Sequence, residues 1–240
     1  MMVLRFSTYL TPNNKGHYDL LCSLGYSHKV EVVPNGIDTL LYRPRSKKTL
    51  RRKLGIPQRS TAVVFVGWLI PRKGVEYLLR AFSALYRRYP GLHVYVVGSG
   101  YLDSPLKRLA QQLGVVDRVT FVGAVPPITV PSWVSASDML VLPSLSEGRP
   151  NVIGEAMAAG IPVLASRIPG NTELIQEGIS GLFFAPKNSR DLAHALETLA
   201  CQPALRQRMG KQARSFILSQ RLSWEDCARH FHSIYRRFIR

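Results

Sequence analysis

The chain has 240 residues, 46% of them hydrophobic, and a formal net charge of +17. That length and apolar content allow one large domain, or one domain with a fragment of another, around a real core. No apolar run approaches the roughly 18–20 residues that span a bilayer, and residues 1–6 lack the pattern of a secretory signal. Cys22, Cys201 and Cys227 are widely separated with no C-x-x-C, which points to a reducing cytoplasm and to neither a disulfide frame nor a zinc site.

In chain order, residues 1–38 stand apart. A helix is expected near residues 18–25, a strand at 29–33, and a turn at Asn35-Gly36. One helix and one strand cannot bury a core, so this stretch reads as the end of a domain whose front is absent. A basic run follows (Arg43, Arg45, Lys47, Lys48, Arg51, Arg52, Lys53, Arg59). Such a field attracts nucleic acid, acidic headgroups or phosphorylated substrates, or it is simply a solvated basic surface.

From residue 60 onward, strand and helix signals alternate. Residues 62–66 are an apolar strand ending at Gly67, and 75–89 carry apolar side chains at helical spacing. A second strand at 93–97 closes on Gly98-Ser99-Gly100, where a lone Gly-x-Gly is best read as loop geometry. Residues 106–113 predict a helix, 119–122 a third strand, 131–136 a short helix, and 139–142 a fourth, fully apolar strand. Then comes Glu147-Gly148-Arg149-Pro150-Asn151-Val152-Ile153-Gly154-Glu155, with helical residues 156–159 ending at Gly160. Strands at 161–165 and 181–184 and helices at 191–200 and 205–218 complete the alternation. Residues 224–240 predict an amphipathic helix needing a surface to cover. His230 and His232, two apart on it, make a poor metal pair.

Near-continuous apolar strands separated by helices indicate an α/β fold, a doubly wound parallel sheet of Rossmann-like type. Ligands of such sheets sit beyond the carboxyl ends of the strands. There the Glu147–Glu155 segment places an acid on either side of a helix N-terminus. Free amides and the positive dipole end attract phosphate, and carboxylates accept hydrogen bonds from vicinal hydroxyls. The pairing points to a sugar joined to a phosphate.

Four motifs occur in order: Gly67-Trp68-Leu69-Ile70-Pro71-Arg72-Lys73-Gly74, the segment from Glu147 to Glu155, Ala156-Met157-Ala158-Ala159-Gly160-Ile161-Pro162-Val163, and Gly181-Leu182-Phe183-Phe184-Ala185-Pro186. Together they closely resemble the C-terminal, donor-binding domain of family-4 glycosyltransferases, retaining enzymes of the GT-B architecture. Val33-Pro34-Asn35-Gly36-Ile37-Asp38 resembles that family's handover between domains. The resemblance therefore implies a remnant of the acceptor domain and linker at 1–38, a nucleotide-sugar-binding domain at 39–218, and a tail helix at 219–240 that packs on the missing domain.

The roles are what the resemblance implies. Glu147 holds hydroxyls of the transferred sugar and Lys73 neutralises the departing diphosphate, with Arg72 beside it. Glu155 takes the ribose hydroxyls. Gly67, Gly148, Arg149, Pro150, Asn151 and Val152 line the phosphates, although Pro150 has no N–H to give, and Val122 and Ala124 run along the base. One position departs from the family: Trp68 stands where an arginine normally follows the first glycine. Either Arg72 or Arg149 substitutes, or activity is weakened or lost. A helix-start role for Asn171 or Thr172, as plain N-caps, is the simpler reading.

The implied reaction is retaining glycosyl transfer from a nucleotide-diphosphate sugar, such as a UDP- or GDP-sugar, to a hydroxyl on a glycan or lipid-linked acceptor, as in cell envelope polysaccharide biosynthesis. No cofactor or metal is expected. The alternative is a catalytically incomplete nucleotide-sugar-binding module that needs a separate N-terminal-domain subunit. An acidic membrane surface at the inner face of the cell membrane is a further expected contact. Nucleic acid is not, because no helix-turn-helix, zinc finger or aromatic platform is present.

Overall fold

A computed structural model describes residues 2–238 of the chain. In chain order its elements are α1 (Met2–Phe6), α2 (Lys15–Ser23), α3 (Lys47–Leu54), β1 (Thr61–Val66), α4 (Val75–Ser83), β2 (Leu92–Val97), α5 (Asp103–Gln112), β3 (Val119–Gly123), α6 (Val130–Ala136), β4 (Met139–Leu142), α7 (Asn151–Ala158), β5 (Val163–Ser166), α8 (Pro169–Thr172), β6 (Gly181–Phe184), α9 (Ser189–Cys201), α10 (Pro203–Ser219) and α11 (Trp224–Tyr235). The six strands form one sheet in the order β3-β2-β1-β4-β5-β6, every neighbouring pair parallel. This is the doubly wound α/β fold expected from the apolar strand runs.

Those runs are largely apolar because helices cover both sheet faces. α4 packs on α5 and α9, while α7 packs on α6 and α10, and α6 on α3. Phe65, Leu78, Leu79, Phe82, Leu140, Leu142, Ile153, Met157 and Leu164 are wholly buried between the layers. The entry to β4 is fixed by Asp138, whose carboxylate takes Arg51 Nη2 at 2.6 Å, Lys47 Nζ at 2.8 Å and the Ala62 amide at 2.8 Å. Burial works against that charge, but Lys47, the Ala62 amide and Arg51 together hold Asp138 below the ordinary aspartate range.

Residues 9–37 meet residues 222–238. Ile37 N–H donates to Leu222 O at 2.7 Å and Ile37 pairs with Ser223. The Glu31 carboxylate lies 2.7 Å from His230 Nε2 and accepts from Arg237 Nη1 at 2.8 Å and from the Tyr9 hydroxyl at 3.0 Å. α11 thus packs on the first forty residues. Among the described residues no helix is long and apolar enough to cross a membrane.

Several local expectations need correction. No strand forms over residues 29–33. Val30 makes a single bridge to Leu10, and Pro12 and Pro34, which cannot donate to a ladder, bound the pairing. The helix beginning at Val75 ends at Ser83, with turns carrying the chain to Tyr89. α11 stops at Tyr235, and residues 239–240 of the expected tail helix lie outside the described residues. Asn171 and Thr172 end α8 rather than start a helix, and Asn171 is buried with its amide on Ser166, so neither is an N-cap.

Candidate functional site

β1 and β4 are neighbours whose chains continue to opposite sides of the sheet. The segments leaving their carboxyl ends therefore diverge and open a crevice, the usual ligand position of such sheets. The loop after β1 carries Gly67 to Gly74, and the loop after β4 carries Pro143 to Pro150. Leu145 N–H donates to Arg72 O at 2.7 Å, which clamps the two loops together.

Across that clamp, Lys73 Nζ donates to Glu147 Oε1 at 2.5 Å, with 13% and 7% of the two side chains exposed. Residues 74 positions apart are thus joined as an ion pair at the crevice. A buried polar chain stands behind it. Ser144 Oγ donates to Glu147 Oε1 at 2.7 Å, Ser166 Oγ donates to Ser144 O, and Asn171 Nδ2 donates to Ser166 O at 2.8 Å. Ser144, Ser166 and Asn171 are fully buried, so the carboxylate is held from beneath by groups that have no competing water. Asn171 Oδ1 has no hydrogen-bond partner among the described residues.

Arg72 is exposed on the same loop, and its guanidinium has no polar partner among the described residues. Arg149 is partly buried, its Nη1 3.8 Å from Glu173 Oε2. Burial pulls its pKa down while Glu173 opposes that pull. Glu173 also accepts from the amides of Lys15 and Gly16 at 3.2 and 3.3 Å, so the start of α2 is tied to this rim. Arg149, Pro150 and Asn151 line one small cavity at the N-terminus of α7, where Asn35 Nδ2 donates to Asn151 Oδ1 at 3.0 Å. Val152 follows in the first turn of α7. Gly148 faces Asn14 and His17. A Cβ on Gly170 would overlap Gly148 O and stand 2.5 Å from Glu147 O, so only glycine lets α8 reach this loop.

Glu155 makes no described hydrogen bond or ion pair with Lys73 or Glu147. It lies half-buried on α7, where burial raises its pKa and a hydrogen bond from Tyr42 opposes the rise. The Tyr42 hydroxyl is itself pushed up, by burial and then by Glu155.

A second compartment adjoins the crevice. Gly67, Trp68, Gly98, Ser99, Ala124 and Val125 line an apolar slot of about 200 Å³ at the ends of β1, β2 and β3. Gly98 adopts φ +133°, and a Cβ there would overlap the Gly67 carbonyl, so the two backbones touch. Trp68 is 68% exposed and walls the slot. Ala124 is exposed in it, whereas Val122 packs toward the core and does not line it. Sequence reasoning missed Ser144, Tyr42 and Gly170. Ser144 and Tyr42 carry no distinguishing pattern, and Gly170 could have been suspected only as a glycine after a proline. Among the described residues no group of three or more His, Cys, Asp or Glu is placed to hold a metal ion.

The family model described as glycosyl transferases group 1 matches residues 46–216. A D-inositol 3-phosphate glycosyltransferase from Nocardioides is 34% identical over 229 residues, covering 87% of this chain and 48% of that protein. The sucrose-phosphate synthase of Thermosynechococcus elongatus is similar in structure, with a TM-score of 0.89 at 26% identity over 99% of this chain and 60% of the other. Anabaena HepE in complex with UDP-glucose superposes with a TM-score of 0.86 at 25% identity, over 97% of this chain and 65% of the other. The chain spans about half the length of the curated relatives it matches.

Proposed function

As this chain belongs to the group 1 glycosyl transferases, we propose that it is the donor-binding half of an enzyme moving a glycosyl group from a nucleotide-diphosphate sugar to a hydroxyl acceptor. The observation that carries the reading is the Lys73–Glu147 pair at the crevice between β1 and β4. It joins a cation suited to phosphate with a carboxylate suited to sugar hydroxyls. An ammonium has three donors, and Glu147 uses one. The others are available to a diphosphate, and Arg72, Arg149 and the first amides of α7 add to the positive field.

In the proposed step the bond from the anomeric carbon to the diphosphate oxygen breaks, its electron pair leaving with the diphosphate. The acceptor oxygen bonds to the same carbon, with retention, and gives up its proton to the departing oxygen. Charge grows on the leaving group as the bond stretches, so a fixed cation lowers the barrier. Lys73 is that cation and no metal ion takes part. Glu147 orients the sugar, and Glu155 takes ribose hydroxyls. The base enters the apolar slot along Ala124, with Trp68 on its face. A uridine donor is supported by the UDP-glucose bound to HepE. The net charge of +17 favours an anionic acceptor, on a lipid or an envelope polysaccharide, reached at the inner membrane face.

One observation favours a second reading. α2 buries no residue, leaving Leu20 and Leu24 exposed. A binding module completed by another subunit fits that exposed face. Calorimetric titration with UDP, GDP and ADP, repeated on Lys73→Ala and Glu155→Gln, tests the site; unchanged affinity in both variants overturns it. Sugar transfer by the isolated chain distinguishes enzyme from module.

A further inference from the structure

A large cavity lies at the opposite end of the sheet from the crevice. It measures about 630 Å³ and is lined by the residues entering β4 and β5, by α10 and by the segment before α3. Five cations face it, Arg45, Lys47, Arg206, Lys211 and Arg214, against a single carboxylate, Asp138. Asp138 is already committed to Lys47 and Arg51. The other four cations form no ion pair among the described residues.

Three of the four are held by neutral groups. Arg45 Nη2 donates to Leu41 O at 2.8 Å, Arg206 Nη1 to Leu199 O and Ala200 O, and Arg214 Nη1 to Ala158 O. A carbonyl fixes the direction of a guanidinium without cancelling its charge, and each guanidinium retains further N–H groups. The floor is rigid as well: a Cβ on Gly210 would overlap Gly160 O, so α10 and the turn after α7 meet backbone to backbone. Burial lowers the pKa of Arg206, and Arg51 presses the same way, while Asp138 opposes them. Four like charges gathered in one concavity repel each other until an anion enters.

A lone Arg206 or Arg214 would be explained as a cation on the last carbonyls of α9 or α7. That explanation does not reach Lys211, which is exposed on α10, lines the same cavity and has no described partner. The volume lies within the range of small-molecule sites, roughly 300–1,000 Å³. The geometry points to a second anion site, distinct from the donor crevice, that binds a soluble ligand carrying more than one phosphate group.

Sodium tripolyphosphate is the probe, titrated calorimetrically into the full chain. Lys211→Glu should weaken binding at least about tenfold, the loss of one charge-assisted contact being about 1.5–3 kcal/mol, and Lys211→Arg should restore it. Lys73→Ala, which removes the crevice's own hold on polyphosphate, should leave the Lys211-dependent affinity within about twofold, below the 0.5 kcal/mol at which distant sites cease to be independent. Affinity should fall steeply with added salt. Circular dichroism of each variant verifies folding. Equal affinity in Lys211→Glu and the parent, or binding abolished by Lys73→Ala alone, overturns the assignment. Lys211-dependent sedimentation with phosphatidic acid vesicles, without tripolyphosphate binding, would also overturn it, in favour of a lipid headgroup.

Discussion

Replacing Lys73 with methionine keeps most of the side-chain volume and removes the charge opposite Glu147. The carboxylate, 7% exposed, then retains only the Ser144 hydroxyl at 2.7 Å. Breaking a fully buried pair by removing one partner costs about 3–5 kcal/mol. The pair borders the crevice and Lys73 is 13% exposed, so the lower end, about 3 kcal/mol, is expected. Glu147→Gln should cost somewhat less, because the amide can still take the Ser144 hydrogen bond. The double variant should cost about 3 kcal/mol, no more than Lys73→Met alone, which is a coupling energy of about 2 kcal/mol, well above the ~0.5 kcal/mol at which sites count as independent. Urea unfolding at neutral pH is the assay. With an m-value near 3 kcal/mol/M, Lys73→Met should lower the midpoint by about 1 M. If the two single losses simply add in the double variant, the ion pair does not hold the crevice together and the site rests on something else.

Three further variants have expected outcomes. Glu155→Gln should stabilise the ligand-free protein by about 1 kcal/mol at neutral pH, since burial disfavours the charge. The folded pKa is raised, so the carboxylate's penalty is complete above that value. The gain therefore shrinks as pH falls through it and vanishes below the unfolded value near 4.3, as thermal melts across pH would reveal. The same variant should lose about tenfold in UDP affinity. Gly98→Ala should destabilise by about 3 kcal/mol in urea unfolding, combining a positive φ with backbone overlap on Gly67. Trp68→Ala should weaken UDP binding by about 1–3 kcal/mol, the usual worth of a base on an aromatic face, without changing affinity for inorganic pyrophosphate.

The six strands were legible because each is largely apolar, a pattern that covered faces impose and that turns punctuate with glycine. Where the signal is weaker the reading failed. Residues 29–33 look like a strand by composition, yet prolines on both partner segments reduce it to one bridge at Val30. Thr172 resembles a cap because threonine favours that role, but Pro169 starts α8 three residues earlier. At the site, the residue types in the two loops could be read, but their meeting could not. Nothing local tells Lys73 that Glu147 is its partner, because that contact depends on strand order. Ser144 is one serine among many until Ser166 and Asn171 are seen stacked beneath it.

The touching backbones of Gly67 and Gly98 bear on how such a protein can diverge. With no side chain between them, the two loops have no slack, and an insertion in either would pry both strand ends apart. A lineage seeking a new donor must therefore work through the residues that project into the slot, Trp68 foremost, and leave the lengths of these loops alone.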